Sequence, residues 1–257
     1  MNILLLRGLS REQRHWGKFP GILAARVEGA RVFCLDLPGA GTENQRQTPA
    51  NVPAIMEDVR RRWLELRARE GGPWCLFAMS LGGMVAMQWC ADHPDDFARV
   101  ILCNTSAANL SSPLRRMNAR VLPSVFRALM SRDAVERERI ILSISTALQT
   151  DLDPTARLWA SFQADRPVSR MMVLRQLWAA SRFIAPKELK TPALILAGAH
   201  DPLTDPSCPR RLAAHLKVPL ETHPAAGHEM ALDAPEWLAE RVGHWIGTGP
   251  VAQRSAV

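Results

Sequence analysis

The stretch LFAMSLGGMVA, residues 76–86, sets a serine between a short apolar run and two glycines. A run that stops at Ser80, followed by small residues and further apolar ones, predicts a strand, a sharp turn and a helix starting near Leu81. Such a turn brings the backbone around positions 78 and 82 into close approach, so only small side chains fit. Ala78 stands where the G-x-S-x-G pattern has its first glycine and adds one methyl, while Gly82 and Gly83 remain. Ser80 is then either a helix cap or a nucleophile presented at the end of a strand. A serine hydroxyl attacks poorly until a base takes its proton, and the base needs a carboxylate to fix its tautomer. The rest of the chain decides, by whether it supplies an acid and then a histidine downstream.

Outward from this stretch, short apolar runs recur at residues 3–6, 32–35, 74–77, 100–103 and 193–196 and around Leu220. Their brevity and flanking turns predict strands buried on both faces. Between several lie helical patterns, with Val52, Ile55, Met56, Val59, Trp63 and Leu66 at three- and four-residue steps and Trp237, Leu238, Arg241, Val242 and Trp245 likewise. Strand alternating with helix predicts a mostly parallel α/β sheet of about six strands. The alternation lapses over 106–186, where four helical segments follow one another. The expected organisation is a core of 1–105 and 187–257 with a helical lid at 106–186, inserted after the fourth strand, where loops surround ligand sites in open α/β sheets.

The required acid follows the strand ALILAG: AHDPLTDP places Asp201 in a polar loop at the strand's end, with Asp205 as the fallback. The corresponding exit from the fourth strand offers Asn104, which cannot carry the charge that an imidazolium needs. His228, on the Gly-preceded loop of PAAGHEMALD, is the candidate base. His200 and His223 sit near the same rim as second choices, and His93 marks a helix end. A tetrahedral oxyanion needs two backbone N–H donors, one after the nucleophile and one from the loop following the first strand. Leu81 and Leu9 occupy those places, with Gly8 letting the backbone face a ligand. Arg7 and Ser10 stand beside them and could assist, though a surface arginine and a turn serine are the plainer readings. No H-E-x-x-H or similar ligand spacing occurs, so no metal and no cofactor is expected.

The chain has 257 residues, 47% of them apolar, enough for a single enzyme-sized core. Its net charge of +7 comes with basic and acidic residues interspersed, as in EDVRRRWLELRARE at 57–70, which predicts solvated helix faces rather than a nucleic-acid surface. The five cysteines form no C-x-x-C pair and lie mostly in apolar runs, as reduced buried thiols do. With no leader-like or membrane-length segment, the expectation is a cytoplasmic protein with neither membrane nor nucleic-acid partner, its oligomeric state open. Only the tail from Gly247 reads as loose.

Taken together, RGL, DLPGAG, AMSLGG, HPDDFARVILCN, LILAGAHD and AAGH, in that order, resemble the α/β-hydrolase family over nearly the whole sequence. The DLPG turn and four-helix lid are most similar to small microbial carboxylesterases, the group that includes the pimeloyl-carrier-protein methyl ester esterase. The resemblance implies a catalytic triad of Ser80, Asp201 and His228, with Leu9 and Leu81 as oxyanion donors. It implies a small-molecule ester substrate with an apolar part. Arg7, Trp16, Phe126, Trp159 and Trp178 are the candidate substrate contacts. The chain departs from the family at Ala78, at Arg7, where histidine is usual, and in opening at what would be the family's third strand, without the leading pair. C–C cleavage, lyase or acyl-transfer chemistry on the same triad is the enzymatic alternative, and a non-catalytic small-molecule binder is the contrasting one.

Overall fold

The computed structural model describes residues 1–247; of the loose tail expected from Gly247, that residue closes the last helix and the rest lies outside the described residues. The first half of the chain runs β1 (Asn2–Leu6), α1 (Phe19–Arg26), β2 (Arg31–Leu35), α2 (Val52–Glu70), β3 (Trp74–Met79), α3 (Leu81–Asp92) and β4 (Arg99–Cys103). Five helices follow, namely α4 (Pro113–Arg116), α5 (Leu122–Met130), α6 (Ala134–Ser143), α7 (Asp153–Asp165) and α8 (Arg170–Ser181). The chain then returns to the sheet with β5 (Ala193–Gly198), α9 (Ser207–Leu216), β6 (Leu220–His223), α10 (Met230–Asp233) and α11 (Pro235–Gly247). All six expected strands are present and pair in parallel in the order β2-β1-β3-β4-β5-β6.

Both faces of the sheet are covered, which explains why its strands are nearly all apolar instead of alternating. On one face Leu4, Leu6, Leu76 and Ala78 pack with Val59, Trp63, Val85 and Trp89 of α2 and α3. On the other, Ile3, Leu5, Cys75 and Phe77 pack with Phe19, Leu23, Leu238 and Val242 of α1 and α11. All five cysteines are free, and burial pushes the Cys34, Cys75 and Cys90 thiols up to about 12.

The order of strands reverses between β1 and β3: after β1 the chain adds a strand on one side, and after β3 on the other. Ligands bind in the crevice that opens at the carboxyl ends of strands at such a point, here where Arg7–Gly8–Leu9 leaves β1 and Ser80 leaves β3. The inserted helices begin differently from expectation. PLRRMNARVLPSVFRALM reads as one helix, but Asn118 has extended backbone (φ −55°, ψ 129°) and its side chain accepts from Arg120 N. Pro123 then opens α5, so the segment is two helices with a bend.

Candidate active site

Ser80 sits between β3 and α3 with φ 52° and ψ −118°, a backbone that non-glycine residues rarely adopt and that costs on the order of 1–3 kcal/mol. Its main chain is held on both sides: Ser80 N donates to Cys103 O (2.9 Å), and Ser80 O accepts from Thr105 Oγ1 (2.7 Å) and Met84 N (3.2 Å). The turn requires glycine at 82, where a Cβ would fall 2.5 Å from Arg7 O and 2.7 Å from Leu6 O. Gly8 approaches from the neighbouring loop, where a Cβ would lie 3.0 Å from that of Ser80. Ala78 is fully buried in the α2–α3 core, so the methyl in place of the elbow glycine serves as packing. Leu81 opens α3, where a backbone N–H has no intrahelical acceptor.

Across the crevice, His228 Nδ1 lies 2.7 Å from Asp201 Oδ2, and both side chains are buried. The other carboxylate oxygen, Oδ1, accepts from Leu203 N (2.9 Å) and Thr204 N (2.8 Å), which fixes the group's orientation. A carboxylate only accepts, so in the neutral ring Nδ1 carries the proton and Nε2 keeps a free lone pair. Asp205 is occupied elsewhere, accepting from Ser207 N (2.8 Å), and a hydrogen bond from the Ser207 side chain heads the causes that hold its carboxyl below the usual range. Asn104 has a different task from the acid's. With φ 43°, it donates through Nδ2 to Gly227 O (3.0 Å) and His228 O (2.9 Å) and accepts Gly198 N on Oδ1 (3.0 Å), so it ties the end of β4 to the histidine loop.

Two opposing effects act on His228. Burial pulls the imidazole down, while the Asp201 charge, its hydrogen bond and the Glu229 charge push it up and prevail. Glu229 itself stays ionised: burial would raise its carboxyl, but Arg7 and Arg11 more than offset that and hold it low.

Ser80, His228, Gly8, Leu9 and Leu81 line one cavity of about 750 Å³, whose remaining wall is mostly the inner side of the inserted helices, including Val125, Leu129, Ile141, Val173 and Leu177. The five candidate substrate contacts fare differently. Arg7 lines the cavity, yet it is buried rather than on the surface, donating to Glu229 at 2.7 Å with its guanidinium 4.6 Å from the Trp16 ring centre. Trp16 lies beneath it in the core against Phe19 and Phe77, off the cavity. Trp159 is also off the cavity, packed with Leu142 and Ala156 in the insertion's own small core. Phe126 and Trp178 point outward, 67% and 55% exposed, since the inner faces of α5 and α8 are taken by other apolar residues. Ser10, in the left-handed region at φ 56°, donates its N–H to Gln176 Oε1 (2.8 Å) and so joins the first loop to α8.

Arg11, Glu138 and Glu229 were not among the candidates. Arg11 donates to Glu138 at 2.6 Å and lies over Trp159 at 4.4 Å, so the loop after β1, the loop after His228 and the insertion meet in one buried ionic cluster. Only the adjacency of Glu229 to His228 could have hinted at it, because the paired residues are 127 and 222 positions apart.

The sequence profile of the alpha/beta hydrolase family matches residues 3–241. The chain belongs to the alpha/beta hydrolase family. Among curated proteins, the biotin biosynthesis bifunctional protein BioHC of Teredinibacter turnerae is 28% identical over 105 residues, covering 40% of this chain and 17% of that protein. Among solved structures, a hydrolase from Pseudomonas aeruginosa PA01 superposes with a TM-score of 0.74 at 22% identity, covering 96% of this chain and 90% of that one. A thermophilic esterase from Thermogutta terrifontis gives 0.67 at 20% identity, covering 96% and 89%. The RedJ thioesterase of Streptomyces coelicolor gives 0.67 at 16%, covering 95% and 85%. At these identities the neighbours speak to the fold alone. The chain is thus an alpha/beta hydrolase with its crevice at the family's strand ends.

Proposed function

We propose that this protein is a serine hydrolase of carboxylic esters, with Ser80 as nucleophile, His228 as base and Asp201 as the acid that orients it. The observation that carries the reading is the Asp201–His228 hydrogen bond of 2.7 Å facing the same cavity as a serine held at φ 52°. In this reading His228 Nε2 takes the Ser80 proton as Oγ attacks the ester carbonyl carbon. The N–H groups of Leu9 and Leu81 receive the oxyanion. The imidazolium, stabilised by Asp201, then protonates the departing alcohol, leaving an acyl group on Ser80. Water, activated by the same histidine, releases the acid. The inserted helices act as the lid of this site and give it an apolar acyl pocket. An esterase and a thioesterase share the fold, which accommodates this chemistry without specifying its substrate.

The reading is tested by labelling with a fluorophosphonate probe and mapping the adduct by mass spectrometry. One adduct on Ser80, absent from Ser80→Ala and with parallel loss of p-nitrophenyl ester turnover, is the expected result. Folded protein that takes no label, or takes it elsewhere, overturns the reading.

A further inference from the structure

The charge excess of the chain is not scattered. Residues 106–186 hold twelve arginines, no lysine and six acidic residues, leaving +6 of the total +7 on the inserted helices. The same segment carries ten of the eleven exposed large apolar side chains among the described residues, Leu64 being the exception. On α5, Leu122, Phe126 and Met130 recur every four residues, and on α8, Met171, Leu174 and Trp178 recur at three and four, so each set forms one stripe. The inner sides of both helices already line the cavity through Val125 and Leu129, and Val173 and Leu177. A helix apolar on two sides is ordinarily covered on both. Here one side faces solvent.

We infer that the outer face of α4, α5 and α8 is a docking surface for an anionic lipid bilayer, on which the protein lies peripherally. Arg120, Arg132 and Arg170 are exposed beside the stripes and have no carboxylate within ion-pair distance among the described residues, which leaves them free for phosphate oxygens. Arg182 stacks over Trp178 at 5.0 Å, a pairing of cation and amphipathic ring suited to an interface. Leu114 and Leu122 are exposed and also line the cavity, so the apolar surface continues into the cavity mouth. A second copy of the chain is a poor occupant, because a two-fold contact would set the unpaired Arg120, Arg132 and Arg170 of one copy against the same positive face of the other. An acidic protein would satisfy the charge. The two separate stripes of long, flexible side chains favour a fluid surface, which needs no shape match to cover both. No helix among the described residues is long and apolar enough to cross a membrane, and lying on one requires none.

The test is co-sedimentation with vesicles of phosphatidylcholine plus phosphatidylglycerol against phosphatidylcholine alone, in about 0.1 M salt and again at about 0.5 M, where screening shortens to ~5 Å. Wild type should pellet with the anionic vesicles at least about tenfold better than with neutral ones, and lose most of that at high salt. Phe126→Ser/Met130→Ser and Arg120→Glu/Arg132→Glu should each abolish it while p-nitrophenyl acetate hydrolysis stays at the wild-type level. Ser80→Ala should pellet like wild type, so the surface stands even if the hydrolase reading falls. Equal partition on both vesicles, indifference to these substitutions, a concentration-dependent dimer through this face, or binding to poly-glutamate without binding to vesicles would each overturn the proposal.

Discussion

Arg7 and Glu229, 222 residues apart in sequence, form an ion pair of 2.7 Å with almost no solvent at either side chain. Arg7 immediately precedes Gly8 and Leu9, and Glu229 immediately follows His228, so the pair fastens the two loops that face each other across Ser80. Taking either charge from water costs several kcal/mol; Arg7 is offset by Glu229, and Glu229 by Arg7 together with Arg11 at 3.9 Å. Arg7 is therefore the half left uncompensated when its partner is removed.

From this we expect Glu229→Gln to destabilise the fold by about 3–5 kcal/mol, since it strands the Arg7 guanidinium in the core. The double change Arg7→Met/Glu229→Leu should recover most of the loss. Chemical denaturation of the two variants decides it. A single variant as stable as wild type would mean that Arg7 finds another partner or water.

The pH dependence follows from His228. The folded protein favours the protonated ring, so its contribution to stability is complete below the unfolded pKa and is lost as pH rises through the raised folded value. In the proposed reading activity needs His228 as a neutral base, and the acid limb of kcat/KM should therefore sit above the ordinary histidine value of about 6.5. Glu229 is one of the groups raising it, so Glu229→Gln should move that limb to lower pH in whatever fraction stays folded. A limb that moves upward would contradict the geometry.

Asp201→Asn should lower kcat by about 10³ to 10⁴, because an amide no longer fixes the tautomer with Nδ1 protonated. Asp205→Asn, whose carboxylate is engaged with the start of α9, should leave kcat within a few-fold of wild type. Steady-state kinetics of the two variants side by side, with folding checked by circular dichroism, separates the acids. The reverse ranking would transfer the role to Asp205.

The sheet was legible in the sequence because buried parallel strands are continuous apolar runs, and β1 to β5 stand out so between polar turns, whereas the edge strand β6 (LETH) is marked by Leu220 alone. Ser80 and Asp201 were legible as candidates because they follow the apolar runs of β3 and β5, where the chain must turn, and His228 because it stands on a glycine-preceded loop ahead of the last helices. Contacts across the insertion were not. Trp159, Phe126 and Trp178 share the same large apolar chemistry, yet the first fills the insertion's core and the other two face outward. The difference lies in how short helices pack, which spacing within one helix leaves undetermined. Arg7 read as a surface residue because nothing local announces a partner at Glu229.

The elbow gives a pair of opposite expectations. Gly82→Ala would drive a methyl to 2.5 Å from Arg7 O, into backbone that cannot yield, and should abolish soluble folded protein or activity. Ala78→Gly removes a packed methyl from β3 and frees its backbone, and should cost about 1–2 kcal/mol, leaving kcat near wild type. Thermal melts and ester turnover of both variants test the claim that position 82, not 78, governs the turn.

The cavity makes its own statement about acyl length. It holds about 750 Å³, and its walls beyond the crevice residues are largely apolar side chains such as Val125, Leu129, Ile141, Val173 and Leu177. Each methylene moved from water into such a space gains about 0.8 kcal/mol, so two carbons should raise kcat/KM roughly tenfold until the space is filled. The measurement is a series of p-nitrophenyl esters from acetate to octanoate. Leu129→Trp, which adds bulk to the part of the wall contributed by α5, should cut octanoate turnover sharply and spare acetate. The comparison isolates the pocket from the chemistry, since both esters share the leaving group and, in the proposed reading, the same attack by Ser80. Flat selectivity along the series would show that the acyl chain stays outside the cavity. A steady fall with length would show that the insertion excludes long chains, and its inner face would then act as a barrier.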